Sequence, residues 1–323
     1  IAPVESLMAT GAAILIAIVM LMPELGLALS IYAGRFDSLP FWELFPNWFY
    51  VTLPLLILTG LGFGLIKAKY GKDVHCRGWV FPLVMALSLL AGLIYTDGMI
   101  YGVSKALEFA LYTLPLFYLV QLVLRNSYER AGNLLLFSFL LSGVLALAGL
   151  ATGTGPDSRV AAFGGGPNVF ARLVAFGVMA LPAIWQRWSG PLMRVGIAVG
   201  TLLMSLAVLM SGSRASFIAL IVCMLAVIFL WPSKGRSLWK IVLLVIIAVL
   251  AVWIFVAYMD QFVALARFAQ LLAEDPGSSV NFRVRMITES VRMALQSPVF
   301  GRGTGAFPIL YFGKDYRYYP HNI

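Results

Sequence analysis

Three residues in this chain have types and settings that could do chemistry. Arg214 interrupts "LAVLMSGSRASFIALIVCML", between two apolar runs with no longer loop around it. Arg283 lies in "VNFRVRMITESVRMALQSP", and His321 follows the aromatic segment "ILYFGKDYRYYP". A guanidinium is permanently charged and forks toward two oxygens at once, which suits phosphate or diphosphate. An imidazole, with an ordinary pKa of about 6.5, can accept a proton from a hydroxyl at neutral pH. Such a set can bind a diphosphate and deprotonate an alcohol. A divalent-metal site is not expected, because no DxD or DxE pair and no histidine cluster accompanies these residues. No Ser-His-Asp arrangement is legible either.

Each residue also has a plainer reading. Arg214 can be an interface cap that snorkels to lipid phosphate, and position alone leaves both roles open. A lone histidine is usually not catalytic. Tyr316, Tyr318 and Tyr319 suit stacking on sugar rings, and suit an interfacial aromatic belt equally well. Two further arginines lie nearby in "GPDSRVAAFGGGPNVFARL": Arg159, and Arg172 about a turn into the next apolar segment. The glycine run reads as a sharp return, with Pro167 suited to the first turn of a helix. As a phosphate loop "FGGG" is weak, since no strand precedes it and no P-loop lysine follows. Lys105 and Glu108, three apart, are spaced to pair on one helix.

The elements that frame these residues are expected to be mostly membrane helices. The chain has 323 residues, 61% hydrophobic and 11% charged, where a soluble domain carries roughly a quarter charged. Apolar runs of membrane-crossing length recur, so the fold expected is an all-α polytopic membrane protein with about nine spans. They lie near Leu7–Ile31 (interrupted at Pro23), Trp48–Ile66, Trp79–Tyr95, Val103–Leu124, Ala131–Thr152, Asn168–Trp185, Val195–Met210, Ala215–Trp231 and Trp239–Tyr258. A transmembrane domain over 1–258 is thus followed by a polar loop region, 259–323, with amphipathic helices. No signal peptide is expected, and both ends read as clipped. The net charge of +9 belongs to loop cations, not to nucleic-acid binding. One set of alternate loops holds eleven lysines and arginines, the opposite set only Arg35, Arg159 and Arg214. That bias puts the amino terminus in the cytoplasm and the loop after Tyr258 outside. The two cysteines, Cys76 and Cys223, do not make a disulfide framework.

Val195 to Trp231 would run about 55 Å as one helix, too long for a bilayer. The chain must therefore turn at "SGSR", and Arg214 is expected in a recess below the outer surface. Asn281–Gln296 reads as a helix with Arg283, Met286, Ile287, Ser290 and Ala294 on a face toward the membrane body. Arg285, Glu289 and Arg292 fall on the opposite, solvated face at ion-pair spacing.

At these residues the chain resembles the O-antigen ligase and O-antigen polymerase superfamily of bacterial envelope glycosyltransferases. "SGSRAS" is similar to a short periplasmic motif of that family. Arg283 lies fifteen residues before the proline that opens "PVFGRGTGAF", again similar to the family pattern. "YYPHN" resembles its His-Asn pair, and "RVAAFGGGPNVFAR" the segment that opens a middle span. The family's frequent tryptophan four residues after the helix arginine is Ile287 here. The family also continues past the histidine with further membrane helices, which this chain is expected to lack.

The resemblance implies a glycosyltransferase C-like, metal-independent enzyme of the bacterial inner membrane, with its site on the periplasmic face and no cofactor. Its donor would be an undecaprenyl-diphosphate-linked glycan, its acceptor a lipid A–core sugar or another glycan. Arg214, Arg283 and His321 would be catalytic, and Arg159, Arg172, Tyr319 and Asn322 would bind substrate. Repeat-unit polymerase is the alternative within the family. A transporter of an anionic solute is the rival from another class.

Overall fold

The computed structural model describes residues 2–33, 51–70, 78, 80–124, 127–152, 159–163, 166–188, 190–230 and 278–315. These residues are helical with no β-strand among them. The helices are α1 (Ala2–Leu21), α2 (Pro23–Ala33), α3 (Leu53–Tyr70), α4 (Val80–Ala91) and α5 (Met99–Glu108). A π-helical turn, Phe109–Thr113, joins α5 to α6 (Leu114–Leu124) without interrupting the rod. Then come α7 (Tyr128–Thr152), α8 (Pro167–Met179), α9 (Leu181–Arg187), α10 (Pro191–Met210) and α11 (Arg214–Leu230). The last two are α12 (Ser278–Gln296) and α13 (Ala306–Phe312).

Nine spans are not what the described residues support. Four helical stretches are long and apolar enough to cross a membrane: Met99–Leu124, Tyr128–Thr152, Pro167–Arg187 and Pro191–Met210. A fifth is reached only if a bent pair counts as one span. That pair replaces the interrupted span expected over Leu7–Ile31, because Thr10–Leu21 and Pro23–Ala33 meet at 118°. Pro23 opens α2, where its missing N–H costs nothing, so the chain starts a new helix instead of kinking one. The span expected at Trp79–Tyr95 is also shorter, since α4 has 12 residues and gives way to turns. Trp239–Tyr258 and the boundary at residue 258 lie outside the described residues.

The centre of the bundle is α7, α8 and α10, with α2 packed against α7. Tyr32 of α2 is buried there with its hydroxyl 3.0 Å from the Ser138 carbonyl and 2.6 Å from Ser142 Oγ. Ser142 in turn donates to the Leu173 carbonyl at 2.8 Å, so three helices share one polar contact inside an apolar core. Small residues allow this approach, as is usual between membrane helices. A Cβ on Gly177 would collide with the Ser142 side chain, and one on Gly149 with the Phe170 ring. By contrast, few residues of Met99–Leu124 are buried, which leaves that rod at the periphery.

The connections fix which residues share an end. α6 and α7 are joined by only 125–127, so α5 begins at the end where α7 finishes. α8 begins there, α10 finishes there and α11 begins there. At the opposite end Glu24 is buried with the Arg130 guanidinium 3.4 Å away. Arg187 donates to the Glu129 carbonyl at the same end, at 3.0 Å.

Candidate functional site

The "SGSRAS" sequence makes the turn expected of it. Gly212 has φ +67°, a left-handed conformation that glycine adopts without strain. Ser211 Oγ donates to the Val208 carbonyl at 2.6 Å and accepts the Ser213 N–H at 3.2 Å. Ser213 Oγ and Ser216 Oγ are 2.9 Å apart. All three serines are buried, so the turn is sunk into protein and its hydroxyls are used to hold its shape. Arg214, half-buried, is the first residue of α11.

A second segment is tied to this turn. Val160 N donates to the Met210 carbonyl at 3.0 Å. Arg159 Nε donates to the Ser211 carbonyl at 2.8 Å, and Nη2 to Asn168 Oδ1 at 2.9 Å. One guanidinium therefore links the segment before α8, the first turn of α8 and the turn before Arg214. Pro167 does occupy the first turn of α8, with Gly166 as its N-cap. Arg172 lies about a turn further on and is exposed, its Nε donating to the Asn168 carbonyl at 3.4 Å. Arg159, Arg172 and Arg214 thus converge on one end of the bundle.

Arg283 is half-buried on α12. The inner face of that helix is narrower than the sequence reading gives. Met286 is buried and Arg283, Ser290 and Met293 are partly covered, whereas Ile287 and Ala294 are exposed. The covered stripe follows i, i+3, i+7 and i+10, so it turns away from Ile287 and Ala294. Arg292 Nε meets Glu289 Oε2 at 3.0 Å, as its spacing implies, but Glu289 is partly covered and does not stand on a fully solvated face. Arg285 is exposed and takes no part in that pair. Lys105 and Glu108 form their expected pair at 2.6 Å. Tyr319, His321 and Asn322 lie outside the described residues. Among the described residues no three His, Cys, Asp or Glu side chains gather as metal ligands would.

The segment after α12 carries contacts that sequence reasoning missed. It docks on the turn between α4 and α5, main chain against main chain. Thr304 N donates to the Gly92 carbonyl at 3.1 Å, and Thr304 Oγ1 to the Leu89 carbonyl at 2.7 Å. Thr96 Oγ1 donates to the Thr304 carbonyl at 2.8 Å, and Tyr95 Oη to that of Phe300. Asp315 then accepts the first N–H groups of α5, from Ile100 at 2.8 Å and Tyr101 at 3.0 Å. A carboxylate is well suited to those donors, which have no partner within the helix. The signal was present in "GRGTGAF": Gly303 and Gly305 have φ +89° and +79° and abut Thr96 and Gly102. Alternating glycines announce such a docking, but do not name its partner.

Residues 199–323 match the family model described as O-Antigen ligase. This part of the chain is of the O-antigen ligase superfamily. No curated protein and no solved structure matches the chain. The O-antigen ligase domain starts within α10 and takes in Arg214, Arg283, the docked glycine segment and His321; Arg159 and Arg172 precede it. Together with the apolar helices, this match points to a membrane protein and to glycosyltransferase-type chemistry in polysaccharide biosynthesis.

Proposed function

We propose that this protein transfers a glycan from an undecaprenyl-diphosphate carrier to a sugar hydroxyl on lipid A–core, at the periplasmic face of the bacterial inner membrane. The observation that carries this reading is the family match, whose span contains Arg214, Arg283 and His321 together. As the glycosidic bond breaks, its electron pair leaves with the diphosphate, and negative charge grows on those oxygens. Arg214 and Arg283 hold that charge through charge-assisted hydrogen bonds, worth about 1.5–3 kcal/mol each. Being permanently protonated, they do the electrostatic work of a metal ion. His321 takes the proton of the attacking hydroxyl, a step typically worth about 10²- to 10⁴-fold. Direct attack from the opposite face inverts the anomeric centre.

The buried serine lattice of the "SGSRAS" turn supports the role of Arg214, since a fixed backbone aims a side chain without reorganisation. Arg159 fits this scheme chiefly by gripping the same turn, because two of its donors are used within the protein. Arg172, exposed at the same end, is the better placed of the two to meet substrate, and Tyr319 and Asn322 are proposed to bind substrate as well.

The test is transfer in detergent from a polyprenyl-diphosphate glycan to lipid A–core by the full-length protein. Arg283→Lys keeps charge and loses the fork, so kcat/KM should fall by roughly tenfold or more. His321→Ala should stop turnover and leave donor binding intact. A product that grows by repeat units instead of being capped once would make the enzyme a polymerase. Full activity in both variants would refute the assignment of these residues.

A further inference from the structure

Beyond its packed face, α12 shows two different exposed faces. Val284, Ile287, Val291 and Leu295 recur at i, i+3, i+7 and i+11 and are all exposed, Leu295 at 75%. Arg285, Arg292 and Gln296 occupy the neighbouring exposed sector. The helix is strongly amphipathic yet of low overall hydrophobicity, unlike the spanning helices of this chain. That combination, with cations beside an apolar stripe, is the pattern of a helix lying in a membrane interface.

The docked segment fixes where the stripe sits. Val299 and Phe300 continue it beyond the end of α12 and are each 80% exposed. The Phe300 carbonyl is held by Tyr95, whose neighbour Ile94 is exposed, as are Met99 and Ile100 at the start of α5. Those residues open the peripheral rod Met99–Leu124, which is long and apolar enough to cross a membrane and little buried along its length. The stripe therefore adjoins the start of an exposed apolar rod, at the end of the bundle that holds Arg214. Charge agrees with position: Arg285 and Arg292 are exposed on the flank of the stripe, where anionic headgroups would meet them.

We infer that the exposed apolar stripe of α12, with Val299 and Phe300, rests in the headgroup–acyl boundary of the bilayer and binds an anionic lipid surface. This goes beyond glycan transfer and does not depend on it. On this geometry Arg283 lies between the packed face and the lipid-facing stripe, at the depth of lipid phosphate. The membrane partner thus supports the same helix that carries a proposed diphosphate ligand.

The experiment uses the full chain in vesicles of phosphatidylcholine with phosphatidylglycerol, with Cys76→Ser and Cys223→Ala as background. Nitroxide labels are placed at Ile287→Cys, Val291→Cys and Leu295→Cys, with Gln296→Cys as the exposed polar control. Collision with oxygen relative to a water-soluble nickel chelate should be severalfold higher at the three stripe sites than at Gln296. Arg285→Glu should lower that ratio in vesicles containing phosphatidylglycerol and leave it unchanged in phosphatidylcholine alone. Stripe labels as open to the chelate as Gln296 would overturn the inference, because the stripe then faces water. Labels immobilised and shielded from both reagents would overturn it equally, because protein then covers the stripe. Neither result bears on transfer activity, so the catalytic reading stands or falls by its own assay.

Discussion

Gly98→Ala tests the docking of the glycine segment most directly. A Cβ at this position would collide with the Gly305 carbonyl oxygen, and would lie 3.0 Å from Gly305 C and 3.4 Å from Ala306 Cα. All three are main-chain atoms. They are locked by the bonds of Thr304 to Gly92, Leu89 and Thr96, so the strain is relieved only by moving the whole segment. Inserting a methyl group into such a contact costs about 1–3 kcal/mol. At about 1.4 kcal/mol per factor of ten, the docked state should lose roughly 5- to 150-fold against the undocked one. The Thr304 amide, which donates to Gly92, is the natural reporter. Its hydrogen exchange should accelerate by the same factor in the purified full-length protein. Gly64→Ala is the control, since a Cβ there meets nothing within 4 Å. Inside α3 it should stabilise by about 0.5–1 kcal/mol. Exchange at Thr304 within twofold of the parent in Gly98→Ala would refute the docking argument.

Two further outcomes follow from the packing. Arg159→Ala removes both bonds that tie the segment before α8 to the Ser211 carbonyl and to Asn168; at half-burial a loss of about 2 kcal/mol is expected in detergent thermal unfolding, and an unchanged midpoint would show the link to be idle. In the core, Tyr32→Phe should cost only about 1 kcal/mol, because Ser142 keeps its bond to Leu173, whereas Gly177→Ala should cost more by pushing a methyl group into Ser142; the reverse order would contradict the described contact.

What could be read from sequence depended on whether a residue's partner lay nearby in the chain. The turn at "SGSR" followed from length alone, since an unbroken helix over Val195–Trp231 outruns a bilayer. The pairs Lys105–Glu108 and Glu289–Arg292 followed from helical spacing. The 118° bend at Met22 did not, because hydropathy runs smoothly through Pro23 and carries no angle. The tilt of the buried face of α12 away from Ile287 was also hidden, because exposed apolar residues look identical to packed ones in a helical wheel. The docking of Thr304 and Asp315 was least legible. Several of its partners are backbone atoms about 200 residues away, as in the bonds from Thr304 Oγ1 to the Leu89 carbonyl and from the Ile100 N–H to Asp315, and no side-chain pattern marks a backbone group as a partner.

The π-helical turn at Phe109–Thr113 has a consequence of its own. A turn of this kind holds one residue more than the α-helical register allows. Deleting a single residue from it would restore regular geometry without breaking the rod. The helix on either side would keep its facing, because the widened turn already absorbs the extra residue. The Ile100 and Tyr101 amides would stay on Asp315, whereas a deletion in the regular helix between Met99 and Glu108 would turn them away by about 100°. This one widened turn takes up a residue that would otherwise change the azimuth of the helix on which the glycine segment is seated.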